Sequence, residues 1–180
     1  PKGINVPMAY TTAYTCFGLS CIVSGDIPNN AGSLAPFEIS APEGTILNAP
    51  YPAPVCSRHV IGQMLPDVSF GCLAQAAPDR VPAEGASCLW NITMRGATDR
   101  AANDSKLFTI TAVTNGGTGA RPIKDGLSAT AYPSGVRGTP VEINETVAPI
   151  IFHRKEFRPD SGGAGAHRGG LGQILEIESA

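Results

Sequence analysis

Asp160, Ser161, His167 and Arg168 lie together in a stretch where six of the thirteen residues from 160 to 172 are glycine. A carboxylate, a hydroxyl, an imidazole and a guanidinium at that spacing could hold a proton, accept hydrogen bonds or contact an anion. Glycine on both sides lets the backbone come close to a ligand or to another part of the chain. A second loop, 116–126, holds Gly116, Gly117, Gly119 and Gly126 with Arg121, Lys124 and Asp125. Each loop has two readings. In one, Asp125, Asp160, His167 and Arg168 touch a ligand. In the other, the loops are tight connections in which Asp160 accepts backbone N–H groups and pairs with Arg168.

Glycine loops can cradle phosphate through exposed N–H groups, but the spacing here is wrong for that. The pattern GxxxxGK[ST] is absent, and GxGxxG fails at Gly163-Ala164-Gly165-Ala166-His167-Arg168, where the last glycine is displaced by one. GxSxG and HExxH are also absent. His59, His153 and His167 are the only histidines, and no two are four residues apart, so no local metal motif exists. His59, beside Arg58, reads as solvated. His153, after Ile150-Ile151-Phe152, reads as the partner of a nearby carboxylate. Glu142 and Glu145 can act as a pair only if their segment is helical.

These residues must be positioned by the elements around them. Met8, Ala9, Ala13, Cys16, Phe17 and Ser20 recur at spacings of three and four, which favours a helix over about 6–23, with a strand pair as the alternative because of its β-branched and aromatic content. A dense turn signal follows at 25–32, then an alternating Phe37-Glu38-Ile39-Ser40 that predicts a short strand. A second helix is expected over about 55–77. Its stripe is Cys56, Val60, Met64, Val68, Cys72 and Ala76, widened by Ile61, Leu65 and Leu73. Pro66 should kink or split it. After residue 85 the pattern turns to strands: 87–93, 106–113 with a turn at 99–104, a possible strand at 127–132, one at 149–156 and a last one at 173–178. The fold class read from this order is α+β, with the early helices packed on a mostly antiparallel sheet of later strands.

The 180 residues are the size of one domain, with 21 Gly and 16 Pro that make the chain rich in turns. Charged residues make up 16% and the net charge is −2, which argues against nucleic-acid or polybasic membrane binding. No run of about 18 apolar residues is present to cross a bilayer as a helix. Cys16, Cys21, Cys56, Cys72 and Cys88 are odd in number and scattered, unlike a disulfide framework. Cys56 and Cys72 are expected as buried, reduced thiols, and the compartment reads as cytoplasmic. The opening Pro1-Lys2-Gly3 shows no signal-peptide pattern, and the closing strand suggests an excised fragment of something larger. A complete domain whose last strand pairs backwards is the alternative.

Three ordered sets of motifs run along the chain. The first is Asn30-Ala31-Gly32, then residues 41–50 (APEGTILNAP) and Pro52-Ala53-Pro54-Val55. The second is residues 116–121 (GGTGAR) with Asp125-Gly126. The third is residues 140–145 (PVEINE), 160–165 (DSGGAG) and 168–172 (RGGLG). In this order they closely resemble the hydantoinase B/oxoprolinase family, over nearly the whole chain.

The resemblance implies the later part of a B-type subunit several times longer than this chain. It implies an A-type subunit or domain that binds ATP and phosphorylates the carbonyl oxygen of a small cyclic amide. The B part then completes ring hydrolysis, or carboxylation in the acetone and acetophenone carboxylase branch. A divalent metal is expected in the earlier part of the B-type chain, because the family's motifs of the form NDP and GTHxPD do not occur here. No cofactor is expected in this chain. Its expected partners are the remainder of the B-type chain, the A-type subunit and the substrate. It is expected to be inactive alone and to supply scaffold, subunit contacts and a wall of the site. The other reading is a non-catalytic binding or assembly module.

Overall fold

Pro7 starts the first helix: its carbonyl accepts the N–H groups of Tyr10 and Thr11 at 2.9 and 3.1 Å. Its own missing N–H leaves no donor unmet there. The helix, α1 (Met8–Val23), matches the predicted span. We describe residues 3–97 and 106–179 of a computed structural model. The turn expected at 99–104 lies outside the described residues.

Asn30 caps a short helical turn, α2 (Ala31–Leu34). Its Oδ1 accepts from Gly32 and Ser33 N–H, while Ser33 Oγ accepts from the Asn30 N–H. Residues 37–40 form no strand. The alternation is present, but none of the described segments supplies a ladder, and Phe37 N–H instead closes a turn onto the Leu34 carbonyl at 3.0 Å.

The helix expected over 55–77 is split into α3 (His59–Gly62) and α4 (Leu65–Leu73). Pro66 falls in the first turn of α4, where a missing N–H does no harm. The split also changes which face is buried. Leu65, Pro66 and Phe70 are buried, while Met64, Val68, Cys56 and Cys72 are exposed. The break at 63–64 resets the helical phase, so the four-residue row read from the sequence faces outward. The two thiols expected in the interior are on the surface. Cys16 is the buried one, and burial pushes its thiol pKa up.

α1 and α4 pack against each other, with Gly18 facing Pro66. A Cβ at Gly18 would lie 2.8 Å from Pro66 Cα. The resulting core gathers Ile22, Phe70 and Val81, flanked by Leu73, Ala74 and Tyr132. The Tyr132 ring lies 6.1 Å from Phe17 and 6.1 Å from Phe70. Tyr132 comes from residues 127–132, which form no strand. The N–H groups of Leu127, Ala129 and Thr130 go instead to Thr118, Leu171 and Gly116 of the glycine loops described below.

Two antiparallel hairpins supply the β content. β1 (Leu89–Ala97) pairs with β2 (Leu107–Asn115), and β3 (Ile150–Phe157) pairs with β4 (Gln173–Ser179). The class is α+β with antiparallel strands. The described residues divide those strands between two separate two-stranded sheets, not one sheet beneath the helices. Between the hairpins lies α5 (Val141–Val147), whose Glu145 Oε1 accepts the Phe152 N–H at 2.7 Å. The segment carrying Glu142 and Glu145 is therefore helical, but Glu145 serves as a backbone acceptor. His153 sits at an irregularity in β3 and meets Glu178 at 2.6 Å, the carboxylate partnership expected for it. His59 is half-buried, with its Nε2 2.6 Å from Asn91 Nδ2, rather than solvated.

Candidate functional site

The two glycine loops, far apart in sequence, lock together through their backbones. Gly170 N–H donates to the Thr118 carbonyl at 2.9 Å, and Thr118 N–H donates to the Leu127 carbonyl at 2.9 Å. Gly126 N–H meets the Arg168 carbonyl at 2.8 Å, and Ala129 N–H the Leu171 carbonyl at 2.9 Å. On the far side, Ala86 N–H bonds to the Gly117 carbonyl at 2.9 Å and Ala83 N–H to the Ala120 carbonyl at 2.8 Å. Four backbone segments are thus stacked by main-chain hydrogen bonds. The glycines are needed for that spacing: a Cβ at Gly117 would run into the Gly170 carbonyl, and one at Gly170 into the Leu127 carbonyl. These N–H groups are spent within the protein and do not cradle an anion.

Side chains then fasten the stack. Asp125 Oδ1 accepts the Arg168 N–H at 2.8 Å, and His167 Nδ1 lies 3.7 Å from the same oxygen. Arg121 folds back so that its Nε and Nη2 donate to the Asp125 carbonyl at 3.0 and 2.6 Å. Three of the four expected site residues, Asp125, His167 and Arg168, therefore meet. Asp160 does not join them. It holds a left-handed φ of 56° where its loop begins, and the expected Asp160–Arg168 pairing is replaced by Asp125 accepting from the Arg168 main chain. Ser161 closes the loop by donating to the Arg158 carbonyl at 2.8 Å and accepting the Gly172 N–H at 2.9 Å.

A cleft of about 750 Å³ opens beside the stack, lined among others by Trp90, Ile92, Asn115, Arg158, His167 and Gln173. That is within the usual range for small-molecule sites. Behind the backbone wall of 83–86 and 117–119 lies a second cavity of about 370 Å³, with Asp67, Phe70, Ser87 and Tyr132 in its lining. Ser87 Oγ donates to Asp67 there. Burial, with Cys21 and Asp67 nearby, pushes the Tyr132 phenol pKa up.

Sequence reading missed Thr118, which donates and accepts at the centre of the stack, and Ser128, whose Oγ accepts the Leu171 N–H at 3.0 Å. Thr118 was visible as the one side chain inside Gly116-Gly117-Thr118-Gly119. Nothing local marks Ser128.

Asp125 and His167 lie side by side, half-exposed. At 3.7 Å theirs is a charge contact, too long for a hydrogen bond. Ser161 Oγ is already engaged on both sides. Among the described residues no group of three His, Cys, Asp or Glu side chains converges to hold a metal ion. The donor set around the cleft does not fit the divalent metal implied by the resemblance.

Comparison with known proteins agrees with this architecture. The family model described as hydantoinase B/oxoprolinase matches residues 1–180. A 5-oxoprolinase 1 from Arabidopsis thaliana is 34% identical over 176 residues, covering 97% of this chain and 13% of that protein. The B chain of a putative D-/L-hydantoinase from Pseudomonas sp. (strain NS671) is 31% identical over 184 residues, covering 98% of this chain and 30% of that protein. The crystal structure of the ATP-dependent caprolactamase from Pseudomonas jessenii superimposes with a TM-score of 0.76 at 31% identity, covering 98% of this chain and 31% of that one. The chain thus spans less than a third of the length of these relatives. With the ordered glycine motifs, their interlocked backbones and a match along its whole length, the chain belongs to the hydantoinase B/oxoprolinase family.

Proposed function

We propose that this chain works as part of the B-type half of an ATP-dependent cyclic-amide hydrolase, supplying scaffold, subunit contacts and one wall of the reaction site. The observation that carries the reading is the interlocked glycine stack, which brings Asp125 and the Arg168 backbone against His167, a residue that lines the cleft. On this reading ATP is bound by an A-type partner. Phosphorylating the amide oxygen weakens the resonance that protects the C–N bond and makes the carbon a better electrophile. Asp125, His167 and Arg168 are proposed to contact the substrate side of the cleft, Asp160 only to shape the loop. The divalent metal is proposed to be held by the earlier part of the B-type chain, as the resemblance implies. The assembly is proposed to be cytoplasmic, a reading supported by five unpaired cysteines. No helix among the described residues is long and apolar enough to cross a membrane.

The test is turnover of 5-oxoproline, N-methylhydantoin or hydantoin. Activity is expected with the complete A and B parts and ATP, and none from the 180 residues alone. Arg168→Ala in the full assembly should lower turnover while assembly persists. Loss of assembly alone would instead favour the non-catalytic assembly module. Robust hydrolysis by the isolated chain would overturn the proposal.

A further inference from the structure

The second glycine loop uses its two halves differently. From Arg168 to Gly172 every main-chain N–H has a protein acceptor: Asp125 Oδ1, the Gly163 and Thr118 carbonyls, Ser128 Oγ and Ser161 Oγ. From Ser161 to His167 the N–H groups have no acceptor among the described residues. Ser161, Gly163, Gly165 and His167 of that free half line the cleft. The Gly169 N–H, bonded to the Gly163 carbonyl at 2.9 Å, ties the free half back onto the stack. Successive unspent N–H groups beside a cavity favour an anion.

Arg158 stands at the root of the same loop and is the one arginine or lysine in the cleft lining among the described residues. Its main chain is fixed on both sides. The N–H donates to the Gly172 carbonyl at 2.9 Å, and the carbonyl accepts from Ser161 Oγ at 2.8 Å. The guanidinium groups of Arg58, Arg80, Arg121 and Arg154 are all spent on protein acceptors. That of Arg158 has no acceptor among the described residues. A guanidinium fork matches the oxygens of a carboxylate or a phosphate. Glu84, on the 83–86 wall, is the one carboxylate in the lining, and Asp160 is not part of it. With the Ser161 hydroxyl engaged on both sides, the free polar groups that this loop and Arg158 bring to the cleft are donors.

We propose that Arg158 and the main-chain N–H groups of Ser161, Gly163 and Gly165 form an oxyanion cradle for the charged end of the reacting molecule. This rests on the reading of the cleft as a wall of the reaction site. The oxyanion has two sources: a phosphate carried on the activated amide oxygen, or a carboxylate on the ring.

The test is isothermal titration of the complete A–B assembly, without nucleotide, with inorganic phosphate, 5-oxoproline and 2-pyrrolidinone, the same ring without its carboxylate. Arg158→Gln should weaken binding of phosphate or of 5-oxoproline about tenfold, the loss of one charge-assisted contact. It should leave 2-pyrrolidinone unchanged. Because Arg158 belongs to this chain, the difference from the parent separates the cleft from the nucleotide site of the A-type partner. Arg158-dependent binding of phosphate identifies the activated amide's phosphate as the occupant; of 5-oxoproline, the ring carboxylate. Arg158→Lys, which keeps the charge, should recover part of the loss. Gly163→Val gives a second variant: a Cβ there meets nothing within 4 Å, so the fold tolerates it while the branched side chain crowds the cradle. Anion affinities unchanged in both variants overturn the proposal, and so does an equal loss for 2-pyrrolidinone. An assembly that turns over a cyclic amide but binds neither anion through Arg158 sinks the cradle and leaves the B-type reading intact. Arg158-dependent binding in an assembly that turns over no cyclic amide does the reverse.

Discussion

The main-chain N–H of Arg168 donates to Asp125 Oδ1 at 2.8 Å, joining two loops through residues 43 apart. That single contact draws His167 to within 3.7 Å of the same carboxylate. It sits at the edge of a layer in which the Gly126 N–H and the Arg168 carbonyl are already bonded. One aspartate therefore serves both to close the glycine stack and to sit beside His167, which lines the cleft.

Removing that acceptor should loosen the stack. Asp125→Ala is expected to lower stability by about 1 kcal/mol, below the usual ~1.5–3 kcal/mol for a bond to a charged group because the carboxylate is half-exposed. Asp125→Asn keeps an oxygen at the same place and should lose less. Urea midpoints of the two variants check the order, and equal losses would show that the accepted N–H contributes little.

The close approach of the glycine backbones predicts a sharp contrast between two alanine substitutions. At Gly170 a Cβ meets the Leu127 carbonyl, whereas at Gly163 nothing lies within 4 Å. Gly170→Ala should destabilise by roughly 2–4 kcal/mol, as overpacking against fixed backbone does. Gly163→Ala should stay within about 0.5 kcal/mol of the parent. Thermal unfolding of both settles it, and a tolerated Gly170→Ala would contradict the meshed arrangement.

The buried face of α4 can be read from a second pair. Phe70 is buried in the core and Val68, two residues away, is 58% exposed. Phe70→Ala should cost about 3–5 kcal/mol, the range for an emptied aromatic site, and Val68→Ala under about 1 kcal/mol. Denaturant titration would give the opposite order if the four-residue row of the sequence were the inner face.

Alkaline pH should weaken the fold partly through Tyr14. Burial, then its contact with the Tyr10 hydroxyl, pushes the Tyr14 phenol from 10.0 up to about 12. The folded state holds this proton more tightly than the unfolded chain. The resulting stability is complete below pH 10 and disappears as pH rises through about 12. Tyr14→Phe should flatten that part of the stability profile between the two values. Urea unfolding measured across the range checks it, and an unchanged slope would rule out Tyr14 as a contributor.

Local chemistry alone determined the parts of this protein with short-range causes. α1 follows from spacings of three and four, the break between α3 and α4 from the proline ring at Pro66, and the hairpin strands from runs of β-formers. The family was legible because the order of the glycine motifs is itself a linear feature. Three things depended on contacts between distant segments. The buried face of 59–73 was decided by the phase reset between two helices and by the fit of Gly18 against Pro66. Residues 37–40 and 127–132 alternate like strands, but a strand exists only if another segment offers a ladder, and none of the described segments does. Asp125, not Asp160, holds the Arg168 N–H because backbone packing at Gly117 and Gly170 brings the two loops together. Hydrogen bonds across tens of residues leave no periodicity in the chain, so only the tertiary structure could choose between two equally plausible carboxylates.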